Sequence, residues 1–141
     1  MSCTIGSLFT GCGGLDMGVE AALGEARKAW VCDVESGPRK LLAFRSPTLP
    51  NLGDVAKVDW GQVEPVDVLV GGSPCQDLSL AGGRAGMQPG TRSGLWESML
   101  QAIDVLRPHL IIWENVYGAL SASAFSLLES RSGHLGVHGD R

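Results

Sequence analysis

The stretch Val66-Asp67-Val68-Leu69-Val70-Gly71-Gly72-Ser73-Pro74-Cys75-Gln76 decides the fold of this chain. A short β-branched run that ends in paired glycines reads as a buried parallel strand over residues 67–70 that stops abruptly. The residues after such a strand lie at its carboxyl end, where open α/β sheets hold their ligands. Pro74 fixes its own φ and biases Ser73 toward an extended conformation, so the turn that presents Cys75 is stiff. A thiol held there can act as a nucleophile, whereas an unpaired cysteine taken alone reads as a small buried hydrophobe.

Toward the amino terminus, Cys3-Thr4-Ile5-Gly6-Ser7-Leu8-Phe9 has the composition of a strand and Thr10-Gly11-Cys12-Gly13-Gly14 that of a turn, after which Leu15, Val19, Ala22 and Leu23 recur at helical spacing. Strand, glycine turn and helix in this order let the backbone approach a ligand closely, and the amides of the helix start offer a site for a carboxylate or another anion. A second strand over residues 29–32 ends in Asp33 and Glu35, which stand about 20 residues past the glycines, the place of a ribose-hydroxyl acceptor in a nucleotide-type site. Asp16 occupies the position where G-x-G-x-x-G needs its last glycine. An acid beside a pyrophosphate is unfavourable; a cationic, phosphate-free cofactor such as S-adenosylmethionine tolerates it. The alternative for this segment is an ordinary tight βα turn.

Residues 37–45 predict a short helix with Leu41, Leu42 and Phe44 as its apolar contacts, broken by Pro47 and Pro50. Asp54-Val55 begins a third short strand or a strand-end loop, with Asp54 either accepting a hydrogen bond from an adenine amino group or serving as a turn residue. On the carboxyl side of Cys75, residues 77–94 hold five glycines, two arginines and almost no large apolar residue. So long a structureless connection reads as a mobile lid. Leu95, Met99, Ala102, Ile103 and Leu106 then share one helical face, with Thr91 or Ser93 as cap and Pro108 as the stop. Leu110-Ile111-Ile112-Trp113 is a fully apolar strand that ends in Glu114-Asn115-Val116. Glu114 is expected at the sheet edge that carries Cys75, where partial burial would raise a carboxyl pKa and let it share a proton near neutral pH. A solvated strand-end acid is the alternative, and Asn115 reads as a loop hydrogen-bonder beside it.

Composition bounds the function. With 141 residues, 44% hydrophobic content and a mean hydropathy of +0.12, the chain fits one globular domain. No apolar run reaches the roughly 18 residues of a membrane span, and no basic start leads into an apolar segment, so a cytoplasmic location is expected. Cys3, Cys12, Cys32 and Cys75 form no C-x-x-C pair, which predicts reduced thiols and no metal. The net charge of −4 counts weakly against a nucleic-acid partner, because phosphate contacts need clustered cations. Local clusters exist at Arg39, Lys40 and Arg45 and at Arg84 and Arg92.

Phe9-Thr10-Gly11-Cys12-Gly13-Gly14, Gly71-Gly72-Ser73-Pro74-Cys75-Gln76 and Glu114-Asn115-Val116, in this order and spacing, resemble the cofactor, nucleophile and acid motifs of the DNA cytosine-5 methyltransferases. The likeness runs over residues 7–120. It implies a partial Rossmann-like, doubly wound α/β fold of about five mainly parallel strands with helices on both faces. It implies S-adenosylmethionine as cofactor, contacted by Phe9, Gly11, Gly13, Gly14, Asp33, Glu35, Asp54 and Leu95. Double-stranded DNA is the implied partner, with a cytosine flipped out at a cost of roughly a few kcal/mol. Cys75, shaped by Pro74, would add to C6 of that base; Glu114, with Asn115 beside it, would hold and protonate N3. C5 would then take the methyl group, and loss of the C5 proton would expel the thiolate. Ser79, Arg84 and Arg92 would bind the flipped nucleotide and its phosphates.

The family's arginine-bearing strand motif, target-recognition domain and closing cofactor motif are not found in these residues. The resemblance therefore implies an incomplete methyltransferase domain over 1–120, then a short helix and poorly ordered tail over 121–141, in a truncated, frameshifted or split enzyme. A complementing carboxyl-terminal half or recognition domain is the expected partner, and the strand at 110–113 is expected to be an uncovered apolar edge. Two other readings stand beside this one: a non-catalytic S-adenosylmethionine-binding remnant, and an unrelated small α/β ligand-binding module of flavodoxin-like plan.

Overall fold

Short β-branched runs separated by helical segments cannot pair as hairpins and close instead into a parallel sheet. The computed structural model of the chain describes residues 2–74 and 95–115. Over these run β1 (Cys3–Leu8), α1 (Gly14–Leu23), β2 (Ala26–Cys32), α2 (Ser36–Arg45), 3₁₀ turns at Val55–Lys57 and Trp60–Gln62, β3 (Val68–Gly71), α3 (Trp96–Leu106) and β4 (Leu110–Trp113). The strands form one parallel sheet in the order β2-β1-β3-β4. β1 and β3 are neighbours although the chain leaves β1 toward β2 on the other side, so the switch in winding direction falls between them. Ligands of such sheets bind outside the carboxyl ends of the strands at that point.

Alternation along each strand sorts side chains onto two faces. On one, Ile5, Val68 and Val70 meet Val19 of α1, with Leu15, Ala26 and Ile112 packed against them. On the other, Leu8, Trp30, Cys32 and Leu69 meet Trp96, Met99, Leu100, Ala102, Ile103 and Leu106 of α3. Helices thus cover both faces, as the doubly wound plan requires. The β1–β2 register shifts between Ile5 and Gly6, and the Trp30 ring lies directly over Gly6. Its indole N–H donates to the Glu64 carbonyl at 2.9 Å.

Several local expectations need correction. α1 keeps Val19 in the core, but Ala22 and Leu23 are exposed; Asp16 takes the inward position instead. In α2, Leu42 is buried while Leu41 is exposed and Phe44 is 86% exposed, because no described element covers that side. Asp54-Val55 forms no strand: the Asp54 carboxylate accepts from the Ala56 amide at 3.1 Å and caps a 3₁₀ turn. The chain bridges to β2 earlier, where Asn51 pairs with Val31. The sheet has four strands among the described residues rather than about five, with β4 last on its side and Leu110 exposed. α3 starts on Leu95 with no side-chain cap; Thr91 and Ser93, like residues 116–141, lie outside the described residues.

Candidate active site

β1 delivers the glycine loop to the switch point through a run of unusual backbone angles. Phe9, Gly11 and Gly13 all have positive φ, at 53°, 56° and 80°. Glycine adopts this freely, but for Phe9 it costs about 1–2 kcal/mol. The surroundings hold the conformation: Thr10 donates its hydroxyl to the Ser7 carbonyl at 3.1 Å and accepts from the Cys32 amide at 3.2 Å. Gly13 then caps α1.

β2 supplies the acids. Asp33 is nearly buried, and its two carboxylate oxygens accept from the amides of Gly11 at 2.7 Å and Glu35 at 2.8 Å. It therefore ties the glycine loop to the start of α2, with lone pairs left over for a ligand. Glu35 is exposed beside it. Cys32, at the end of β2, donates its thiol to the Gly53 carbonyl at 3.1 Å. Burial, reinforced by the charges of Asp33 and Asp54, pushes that thiol up to about 12, so it stays protonated and inert at neutral pH.

These elements enclose an open cleft of about 360 Å³ lined by Phe9, Gly11, Cys32, Asp33, Val34, Glu35, Pro38, Gly53, Asp54, Val55, Gly72, Pro74 and Leu95. That volume suits a nucleoside-sized ligand. Its electrostatics are one-sided among the described residues: three lining residues are acidic, and none is Lys or Arg. A phosphate would be repelled and a cation attracted. The residues present therefore fit S-adenosylmethionine, whose sulfonium and ammonium groups are positive, better than a dinucleotide. Gly13 and Gly14 stand off the cleft wall, as the cap and first residue of α1.

The acid and the nucleophile turn meet across β3 and β4. Gly71 pairs with Trp113, and the Glu114 amide donates to the Gly71 carbonyl at 3.0 Å. A Cβ at Gly72 would stand 3.3 Å from Glu114 Oε2, so this carboxylate lies against the backbone that leads to Pro74. The expected part-burial of Glu114 is not found; the residue is exposed, because nothing among the described residues covers the carboxyl end of β4. Cys75, Ser79, Arg84, Arg92 and the lid at 77–94 lie outside the described residues. Sequence reasoning missed Ser73 and Trp113. Ser73 is buried at 4% exposure; its Oγ accepts from Trp113 Nε1 and from Asn115 Nδ2, each at 2.9 Å, and its carbonyl accepts from Asn115 Nδ2 at 3.1 Å. The available signal was the period of two that sets Trp113 and Asn115 on one side of the strand and Glu114 on the other.

The sequence model of C-5 cytosine-specific DNA methylases matches residues 3–130. A DNA N-6-adenine-methyltransferase of Escherichia phage P1 is 40% identical over 79% of this chain and 17% of its own length. The type II methyltransferase M.NgoFVII of Neisseria gonorrhoeae is 35% identical over 83% of this chain and 31% of its own length. M.Eco47II of Escherichia coli is 34% identical over 90% and 30%. The chain thus spans less than a third of these relatives. Among solved structures, DNMT2 of Spodoptera frugiperda superposes with a TM-score of 0.65 at 18% identity, covering 92% of this chain and 40% of that one. At that identity the likeness speaks for the methyltransferase fold alone. By the extent of the family match and by its sheet, the chain belongs to the C-5 cytosine-specific DNA methylase family.

Proposed function

We propose that the chain carries the cofactor-binding and methyl-transfer part of a DNA cytosine-5 methyltransferase that uses S-adenosylmethionine and a covalent Cys75 adduct. The observation that carries this is the convergence of the glycine loop, the β2 acids and the Gly72–Pro74 turn on one cation-attracting cleft, with Glu114 against Gly72. S-adenosylmethionine supplies an electrophilic methyl group on its sulfonium. Glu35 and Asp33 accept from the ribose hydroxyls, Asp54 from the adenine amino group, and Phe9 and Leu95 form apolar walls. Gly11 contacts the cofactor from the cleft wall, and Gly13 and Gly14 support it from behind, as the cap and first residue of α1. Cys75 adds to C6 of the flipped cytosine, Glu114 protonates N3 with Asn115 beside it, and Pro74 fixes the turn. After methylation, water takes the C5 proton, the electron pair of the C5–H bond expels the thiolate, and N3 returns its proton to Glu114. Ser79, Arg84 and Arg92 bind the flipped nucleotide and its phosphates. Residues 1–120 form this domain and 121–141 its tail, and turnover requires segments like those the relatives carry beyond the matched part, in the same or a second polypeptide.

The name of the phage P1 relative raises adenine N6 as the target. An exocyclic amine is itself nucleophilic and needs no thiolate, and only 17% of that protein is matched, so cytosine is the better reading. The test is methyl transfer to duplex DNA by the chain joined to the carboxyl-terminal segments of a relative such as M.NgoFVII, with product nucleosides resolved by mass spectrometry. The expected product is 5-methylcytosine, lost in Cys75→Ser and reduced about 10²–10⁴-fold in Glu114→Gln. N6-methyladenine, or methylation that survives Cys75→Ser, would sink the proposal.

A further inference from the structure

We infer that Ser73 is a positioning residue that fixes Glu114 in register with the nucleophile turn, acting through Trp113. The inference rests on the roles proposed above for Glu114 and the Pro74 turn. Glu114 is exposed, and no hydrogen bond among the described residues holds its side chain. Its two chain neighbours, however, both end on the same atom. Trp113 Nε1 and Asn115 Nδ2 each donate to Ser73 Oγ at 2.9 Å. The acid is thus bracketed, one residue on each side, by groups fastened to the residue before Pro74. Trp113 is in turn stacked on Trp96 at 4.4 Å between centroids, and Trp96, 1% exposed, is seated in the α3 core. The hydroxyl therefore transmits the rigidity of the core to both the β3 turn and the β4 end, which the sheet leaves at a free carboxyl edge.

A hydroxyl is needed here because one oxygen can accept from two donors at once. Alanine removes the acceptor of the part-buried Trp113 Nε1 and one of the acceptors of Asn115 Nδ2, whereas threonine keeps the hydroxyl. Trp113→Phe keeps a ring to stack on Trp96 and removes only the donor. Misplacing a catalytic group by about 1 Å can cost on the order of 100-fold in rate.

Ser73→Ala, Ser73→Thr, Trp113→Phe and Ser73→Ala/Trp113→Phe are compared with the wild-type chain, each joined to the carboxyl-terminal segments of a relative such as M.NgoFVII that give turnover, in methyl transfer to duplex DNA, alongside S-adenosylmethionine affinity by calorimetry. The expected result for Ser73→Ala and Trp113→Phe is a kcat lowered about 10- to 100-fold with the cofactor Kd within about twofold of wild type. Ser73→Thr restores most of the rate, and the double variant is no slower than Ser73→Ala, because the Trp113 bond needs the Ser73 oxygen. An unchanged kcat in Ser73→Ala or Trp113→Phe, a kcat loss matched by a loss of cofactor affinity, or additive losses in the double variant overturns the inference. Failure of the parent reading looks different: there, methylation survives Cys75→Ser and Glu114→Gln.

Discussion

At Asp16 the chain buries a carboxylate in the first turn of α1 with 1% of its surface exposed. Oδ1 accepts the Ser7 hydroxyl at 2.7 Å, while Oδ2 meets no partner among the described residues. Burial raises its pKa more than the Ser7 hydrogen bond and the nearby Lys28 lower it. For a group whose folded pKa is raised, the stabilising contribution is present below the unfolded value of about 3.9 and is lost as pH rises through the folded value. At neutral pH the carboxylate therefore works against folding. Asp16→Asn, which can still accept from Ser7, is expected to stabilise the chain by about 1 kcal/mol near pH 7, a rise of about 2–4 °C in Tm, with the gain vanishing below about pH 4. Thermal unfolding across that range checks it; a gain that persists at acid pH would show that charge is not the cause.

At the level of elements, two glycines that look alike in the sequence do opposite things. A methyl group at Gly6 would fall inside van der Waals contact with the Trp30 ring, itself 2% exposed and tilted against Trp60 at 5.7 Å. At Gly18, midway along α1, a Cβ would meet nothing within 4 Å. Gly6→Ala should therefore destabilise by about 1–3 kcal/mol through overpacking, and Gly18→Ala should stabilise by about 0.5–1 kcal/mol by restricting the unfolded chain. Urea unfolding of the pair gives both signs, and equal effects would refute the assignment. The strands and α3 could be read beforehand because an apolar run, or a face such as Met99, Ile103 and Leu106, states its burial locally. The faces of α1 and α2 could not. Whether Leu23 or Phe44 is covered depends on which element lies opposite, and Asp16 displaces the apolar pattern with a hydrogen bond to Ser7 nine residues earlier. In the site, Asp33, Glu35 and Asp54 were legible as strand-end and loop residues, while Leu95, which the spacing sets on the α3 face, lines the same cleft from the cap of that helix. The Ser73 bonds join residues 40 and 42 positions apart, which only the register of β3 against β4 brings together.

Across the whole molecule, the two ends of the sheet divide the work. The carboxyl ends hold the cleft; the amino ends are closed by a clasp around Asp67, which a parallel sheet needs because no hairpin joins its strands. Asp67 Oδ2 accepts from the amide and the hydroxyl of Thr4, each at 2.8 Å, and the Asp67 carbonyl accepts from the amides of His109 at 2.8 Å and Leu110 at 3.0 Å. One residue thereby links β1, β3 and β4. The Thr4 amide, then its hydroxyl, hold the Asp67 carboxyl below the usual carboxylate range, with His109 adding to this. A folded pKa that is lowered gives stability present above the unfolded value of about 3.9 and lost as pH falls through the folded value, the opposite sign to Asp16. The chain should thus lose Tm on acidification below about pH 4, and Asp67→Ala should lower Tm at neutral pH while flattening that acid limb. Because the clasp lies at the far end of the strands from the cleft, S-adenosylmethionine affinity at a temperature where the variant is folded should stay within about twofold of wild type, a change under about 0.4 kcal/mol. Paired measurement of the Tm profile and of cofactor binding decides the matter: an acid limb as steep as wild type would remove Asp67 from the pH response, and a parallel loss of affinity would mean that the two ends of the sheet are not independent.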